Sequence, residues 1–242
     1  MPASNAPTPS APWPAPLADT PPVPGYLTQD YWWAYVHPRA VAVFERAWLV
    51  NLILFGNYGR LRDAALNDLG TVVHGRTLQV ACVYGDLTPR LQARLAPDAQ
   101  LDVVDILPIQ LRNLQAKLQP DPRLSLRTCD SARMDAPDAH YDQVLVFFLL
   151  HEQPDDVRRQ TLSEALRVLK PGGQLLVVDY HRPSKLHPLR PLMRAVFRHL
   201  EPYAMDLWQH AITDYLPQDV PITSVTSTTF FGGLYQKLLI TR

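Results

Sequence analysis

The sequence predicts an α/β fold: a mostly parallel sheet with helices on both faces, finished by an antiparallel hairpin at the C-terminal end. Three observations carry this expectation. Beyond Gly75, short runs rich in Val, Leu and Phe alternate with helical stretches. The runs are almost continuously apolar, as strands covered on both faces are. The last two runs are joined at Gly232-Gly233, a hairpin signal.

Taken in order, residues 77–83 read as the first strand, 89–95 as a helix and 100–104 as the second strand, ending at Asp105. A helix over 108–117 follows, then a third strand over 124–128 and a fourth over 141–149. Residues 154–169 make a helix closed by Lys170-Pro171-Gly172-Gly173, and 174–179 make the fifth strand. Residues 224–231 and 234–241 form the hairpin. This order is the Rossmann-like architecture of class I S-adenosylmethionine (SAM) methyltransferases.

The rest of the chain is divided by composition. Residues 1–25 hold prolines at 2, 7, 9, 12, 14, 16, 21, 22 and 24, a density that blocks helix and ladder hydrogen bonds, so a disordered tail is expected. Residues 26–75 read as an aromatic-rich helical cap, with helices over 28–35 and, past Pro38, over 40–58. Its aromatic side chains either pack the helices onto the domain or cover a large apolar substrate. The Rossmann-like domain then spans 76–242, with a basic helical insertion over 182–216.

Bulk properties narrow the function. The chain has 242 residues, with Lys plus Arg and Asp plus Glu equal at 23 each, so net charge makes no argument for a nucleic-acid partner. Cys82 and Cys129 offer neither a disulfide framework nor a zinc spacing, and suit a reducing compartment as buried structural thiols. No signal peptide is expected, and the apolar run 47–55 is broken by Asn51 and too short to span a bilayer, so the expectation is a soluble or peripheral protein.

Ligands of open parallel sheets bind beyond the C-terminal strand ends, which names the candidate site. After the first strand comes Ala81-Cys82-Val83-Tyr84-Gly85, where methyltransferases commonly carry GxGxG. Gln79, Ala81, Val83, Gly85 and Asp86 are the candidate cofactor residues of this turn. Gln79 stands where an acid is usual near the methionine amino group. Either that group is held less tightly, or Asp86 supplies the charge. Asp105, with Ile106 beside it, has the spacing of a ribose ligand. Asp130, followed by Ser131, is placed for an adenine amine or for capping its loop. His151, Glu152, Asp179 and His181 end the fourth and fifth strands. They suit a divalent cation, or a general base at His151 with Glu152 opening a helix.

The stretches Tyr31-Trp32-Trp33-Ala34-Tyr35-Val36-His37-Pro38, 48–58, Val80-Ala81-Cys82-Val83-Tyr84-Gly85-Asp86 and 147–154 together resemble the bacterial rhodoquinone biosynthesis (RquA) family, over residues 26–242. The glycine-poor turn and the Trp-rich preface are much more specific than Leu169-Lys170-Pro171-Gly172-Gly173. The resemblance implies conversion of ubiquinone to rhodoquinone, a ring methoxy group being replaced by an amino group, with SAM as nitrogen donor and Mn²⁺ required. On that basis His151 or His181 serves as base or metal ligand, Glu152 belongs with them, and Tyr84 hydrogen-bonds the quinone oxygen or fills the space of the absent glycine. A bacterial cytoplasmic protein, peripheral at the inner membrane, is expected. Residues 41–55 and the basic stretch 182–199 are the candidate contacts with anionic lipid, the alternative for the latter being a solvated basic face. A conventional SAM-dependent quinone methyltransferase and a non-catalytic binding relative are the competing readings; nucleic-acid binding ranks lowest.

Overall fold

The computed structural model describes residues 21–31, 41 and 43–242. Most of the expected tail, and Trp32, Trp33 and Tyr35 of the expected cap, lie outside the described residues. Three helices come first: α1 (Gly25–Gln29), α2 (Ala47–Ile53) and α3 (Tyr58–Leu69). Then β1 (Arg76–Val80), α4 (Leu87–Gln92), β2 (Gln100–Asp105), α5 (Pro108–Gln115), β3 (Leu124–Thr128) and β4 (Tyr141–Phe147) alternate. A 3-10 turn (Leu150–Glu152) leads into α6 (Asp155–Val168) and β5 (Leu169–Tyr180). After α7 (Arg190–His199), α8 (Asp206–Gln209) and a second 3-10 turn (Ile212–Tyr215), β6 (Ser224–Phe230) and β7 (Tyr235–Thr241) close the chain.

The seven strands form one sheet in the order β3-β2-β1-β4-β5-β7-β6. Strands β1 to β5 pair in parallel, and β7 runs antiparallel between β5 and β6. The Rossmann-like methyltransferase fold expected from the sequence is therefore present. Leu78, Val80, Val144, Leu145, Val146, Leu176 and Val177 of the central strands are fully buried, which is why these segments carry no polar alternation. Helix α6 starts with Asp155 and Asp156 at its positive end and buries Leu162, Ala165 and Leu166 against the sheet. Among the described residues, no helix is long and apolar enough to cross a membrane.

Element boundaries differ from expectation where the backbone does something special. Strand β1 ends at Val80 rather than 83 because Ala81 turns into the left-handed region, φ 69°. Strand β4 ends at Phe147 rather than 149 because Phe148 does the same, φ 53°. Strand β5 starts at Leu169 instead of 174. Its Pro-Gly-Gly stretch stays in the sheet because Gly172 donates to Arg242 O and Arg242 donates back to Gly173 O.

Strand order reverses between β1 and β4, so a crevice opens beyond their C-terminal ends. Arg158, fully buried on α6, fixes the loop at that crevice. Its Nε donates to Leu150 O at 2.8 Å, and its Nη2 donates to Gln153 O at 2.8 Å and Tyr203 O at 3.0 Å. The guanidinium carbon lies 4.7 Å from the Tyr215 ring centroid, with Asp206 3.6 Å from Nη1. One cation thereby ties the turn after β4 to the segment after α7. Arg158→Met leaves three carbonyls bare, and the expected outcome is a loss of about 3 kcal/mol, read as a lower denaturant midpoint with unchanged m-value.

Candidate functional site

A cavity of about 680 Å³ occupies the crevice. All five parallel strands deliver residues to it from their C-terminal ends or the turns that follow: Ala81, Asp105, Cys129, Phe148 and Tyr180. Tyr26 and Leu27 of α1, Leu52 and Ile53 of α2, and Met193 and Val196 of α7 enclose it. The lining is mainly apolar, with a few convergent polar groups, as ligand cavities are.

The turn after β1 is held from behind. Gln79 is fully buried and does not line the cavity; its Nε2 donates to Ala81 O at 3.0 Å and its Oε1 accepts from Thr88 Oγ1 at 2.9 Å. The expectation that position 79 meets the methionine amino group is therefore corrected, and with it the inference that a missing acid there frees an ammonium. Asp86 does not supply a replacement charge. It accepts from Arg62 and Arg90 at 2.7 and 2.6 Å, and these guanidiniums, overriding its partial burial, hold its carboxyl below the usual range. Gly85 also stays out of the cavity lining. Its φ of 88° and a Tyr58 hydroxyl that a Cβ would meet at 2.6 Å explain why glycine remains there. That hydroxyl accepts the N–H groups of Asp86 and Leu87, at 2.9 and 3.0 Å, at the start of α4.

Ala81, Val83 and Tyr84 do line the cavity. Ala81 adopts the left-handed conformation that glycine usually supplies. The Tyr84 hydroxyl accepts from Gln110 Nε2 at 2.9 Å, and its ring stacks on Phe44 at 6.1 Å. Burial raises its pKa, so it stays a neutral phenol.

Asp105 and Ile106 line the next part of the wall. Asp105 accepts from Cys82 N and Leu107 N, both at 2.8 Å, and burial pushes its carboxyl up to about 6 against the pull of those two donors. The Cys82 thiol is a third donor to this carboxylate, and the lone pair that remains suits a ligand hydroxyl. Asp130 accepts from Ala132 N at 2.9 Å, the loop-capping role, while remaining in the cavity wall with Ser131. The Ser131 hydroxyl is joined to Thr161 Oγ1 at 2.9 Å and Gln153 Nε2 at 3.1 Å. Burial raises the thiol pKa values of Cys82 and Cys129, so neither is a ready nucleophile.

The polar cluster differs most from expectation. His151 Nδ1 lies 2.8 Å from Asp179 Oδ1, an arrangement that aims Nε2 at Glu152 Oε1, 3.7 Å away, and Glu201 Oε2, 4.0 Å away. The ring is packed edge-on by Tyr180 at 4.8 Å and Phe148 at 5.9 Å. Asp179 is fully buried and spent on the loop, accepting from Leu150 N, His151 N and Tyr180 N. His181 points elsewhere, its Nδ1 donating to Gly233 O at 2.8 Å. The expected four-residue metal set is thus not assembled. Among the described residues no group of three or more His, Cys, Asp or Glu could hold a metal ion, and Mn²⁺ finds no fitted ligand set here.

Glu201 was not foreseen. It follows α7 rather than a strand end, so the strand-end rule does not reach it; its one sequence signal is that it ends an acid-free basic stretch. Burial alone pushes His151 down, but Asp179, Glu201 and Glu152 outweigh it and raise the imidazole to about 9. Burial also raises Glu201, with His151 and the Tyr31 hydroxyl pulling it back. At neutral pH the site therefore holds an imidazolium facing two carboxyl groups beside an apolar cavity.

Residues 77–173 match the family described as "Methyltransferase domain". Over 140 residues the chain is 31% identical to the ubiquinone/menaquinone biosynthesis C-methyltransferase UbiE of Pseudomonas paraeruginosa, covering 56% of this chain and 54% of that one. The Bordetella avium protein of the same name is 35% identical over 117 residues, 48% of this chain and 44% of that one. The chain thus spans about half the length of the curated relatives it matches. Among solved structures, human N-acetylserotonin methyltransferase in complex with SAM superposes with a TM-score of 0.62 at 15% identity, over 91% of this chain and 60% of that one. Bradyrhizobium japonicum NodS, an N-methyltransferase solved with S-adenosylhomocysteine, gives 0.51 at 14% identity, over 75% and 83%. The strand order and the cavity at the switch point agree with these matches: residues 77–173 are similar to a methyltransferase domain, set in a Rossmann-like methyltransferase fold.

Proposed function

We propose that this protein binds SAM along the Asp105 wall of the cavity and uses it as a nitrogen donor, replacing a ring methoxy group of ubiquinone by an amino group to give rhodoquinone. The observation that carries the reading is the His151 imidazolium, oriented by buried Asp179 and facing Glu152 and Glu201. Moving a methyl group from a sulfonium needs alignment and at most one base. Nitrogen transfer asks for more. An ammonium must lose a proton before it attacks the ring, the quinone oxygen must take negative charge, and methoxide must leave as methanol. The nitrogen must then part from the SAM α-carbon. Loss of the Cα proton leaves its electron pair to reduce the ring to the quinol, water hydrolyses the resulting imine, and the amino product leaves as its quinol. In this reading Glu152 and Glu201 accept the proton, and the imidazolium stabilises the oxygen and supplies a proton to the leaving group. The apolar cavity, with Phe148, Leu149 and Ile53 in its wall, suits a quinone ring and the first units of an isoprenoid tail.

Relatedness to C-methyltransferases favours one alternative, a conventional quinone methyltransferase in which neutral His151 is the base. The two readings predict pH dependences of opposite sign. With His151 as acid, kcat falls as pH rises through about 9; with His151 as base, it rises over the same interval. The direct measurement incubates protein with ubiquinone and SAM labelled at the α-nitrogen: label in an aminoquinone supports nitrogen transfer. Methyl label in the product from methyl-labelled SAM establishes the alternative.

His151→Gln should lower kcat by roughly 10²-fold or more while SAM binding, measured calorimetrically, changes little. Glu201→Gln removes one of the charges that raise the imidazole, so the alkaline limb of the rate profile should shift to lower pH. Stability follows the same linkage. The folded imidazole lies above its unfolded value, so its contribution is complete below about pH 6.5 and is lost as pH rises through about 9. In His151→Gln that alkaline loss should disappear from thermal melts.

A further inference from the structure

Outside the cavity, three arginines converge without acids. Arg182, on the loop after β5, and Arg190 and Arg194, on α7, line a second depression of about 410 Å³ with Trp208 and Gln209. The Arg190 guanidinium carbon stands 5.9 Å from the Trp208 ring centroid. Many arginines elsewhere are neutralised: Arg62 and Arg90 by Asp86, Arg123 by Asp121, Arg159 by Asp155, Arg167 by Glu164. Among the described residues, Arg182, Arg190 and Arg194 join no such pair. From Arg182 to Leu200 the chain carries Lys185 and Arg198 as well, and no Asp or Glu at all. A solvated helix face intersperses both signs; this one is a field of a single sign.

The same segment exposes apolar side chains that the fold holds out rather than buries. Leu186 is 94% exposed, yet its loop is pinned, with His187 Nε2 donating to Phe231 O at 3.0 Å and Ser184 N to Gly232 O at 3.2 Å. Leu192 and Leu200 of the α7 region are also exposed. Helix α7 meanwhile turns Met193 and Val196 to the catalytic cavity. Across the cavity, Trp48 and Leu52 of α2 are each 62% exposed. Charge that fits phosphate and exposed apolar groups that fit acyl chains thus lie on one segment, with further exposed apolar groups on α2.

We propose that the Arg182–Arg190–Arg194 pocket takes the phosphate of an anionic phospholipid and seats α7 on the bilayer surface. Guanidinium forks match phosphate oxygens in geometry, and buried Trp208 backs the Arg190 guanidinium from the core side. Leu186 and Leu192 enter the acyl boundary, and the cavity mouth opens toward lipid. Delivery of quinone through that mouth rests on the function proposed above; phosphate recognition does not.

The test is sedimentation of the full chain with phosphatidylcholine vesicles with and without phosphatidylglycerol, without SAM or quinone. Wild type should bind the anionic vesicles and lose them as salt rises, and R182Q/R190Q/R194Q should bind on the order of 100-fold more weakly. Leu186→Glu, at a side chain too exposed to disturb the core, should weaken binding independently. Turnover of a short-chain, water-soluble quinone should be unchanged in the triple variant, which separates failure of lipid binding from failure of the catalytic reading. Equal binding to neutral vesicles, or equal binding by the triple variant, overturns the proposal. So does tight binding of inorganic phosphate by protein that ignores vesicles, since the pocket would then serve a free phosphate compound.

Discussion

The site depends on one buried carboxylate. Asp179 is shielded from water, so its charge is tolerable only where donors surround it, and four do: three backbone N–H groups and the His151 imidazole. That demand shapes the chain after β4. Phe148 turns left-handed, the backbone folds into a 3-10 turn, and Leu150 and His151 present their N–H groups to Asp179. Arg158 closes the turn from the other side by taking its carbonyls. A buried anion and a buried cation thus grip opposite polar edges of the same few residues, and His151 is carried between them with its ring orientation set. Removing either leaves unsatisfied buried groups, so the geometry of the imidazole is secured by the cost of every alternative.

That grip also explains the electrostatics. Fixing Nδ1 against Asp179 commits Nε2 to the cavity side, where Glu152 and Glu201 wait at 3.7 and 4.0 Å. These separations are too long for good hydrogen bonds and short enough for strong coupling in a poorly solvated site. The three groups share protons as a set rather than titrating singly. On the proposed nitrogen transfer, such a set takes up a proton from the donor and gives one to the leaving group, which alignment-only methyl transfer does not ask for. The Tyr180 and Phe148 rings keep water from the imidazole flanks and prevent it from swinging to a solvated pose.

Strand order was legible because both-face burial imposes apolar runs, and β3 fell where the pattern placed it. The ends of strands were less legible. Ala81 and Phe148 stop their strands by adopting a backbone conformation that their side chains disfavour, and nothing in residue type announces this. Asp105, Asp130 and Ser131 were reachable because topology fixes which residues follow β2 and β3. Gln79 misled because a strand residue two positions before the turn points to one face or the other, and here it points inward to Thr88. His181 misled for a related reason: one residue beyond β5, the loop is already bonded to the hairpin through Gly233. Glu201 was invisible because a helix between β5 and β6 delivers it, and no spacing rule relates that helix to the strand ends.

The glycine-poor turn therefore needs a different explanation from a lost clamp on the cofactor. Position 79 bonds the turn to α4, and Asp86 bonds it to Arg62 and Arg90, so neither faces a ligand. What the turn does present is Val83 and Tyr84, side chains where glycine would leave space. They take up space in the cavity wall, with the Tyr84 hydroxyl held by Gln110 and its ring backed by Phe44. Bulk replaces glycine in one part of the cavity wall and acid and base gather in another, so that on the proposed reading volume positions the reactants and the polar cluster acts on the atoms that volume delivers.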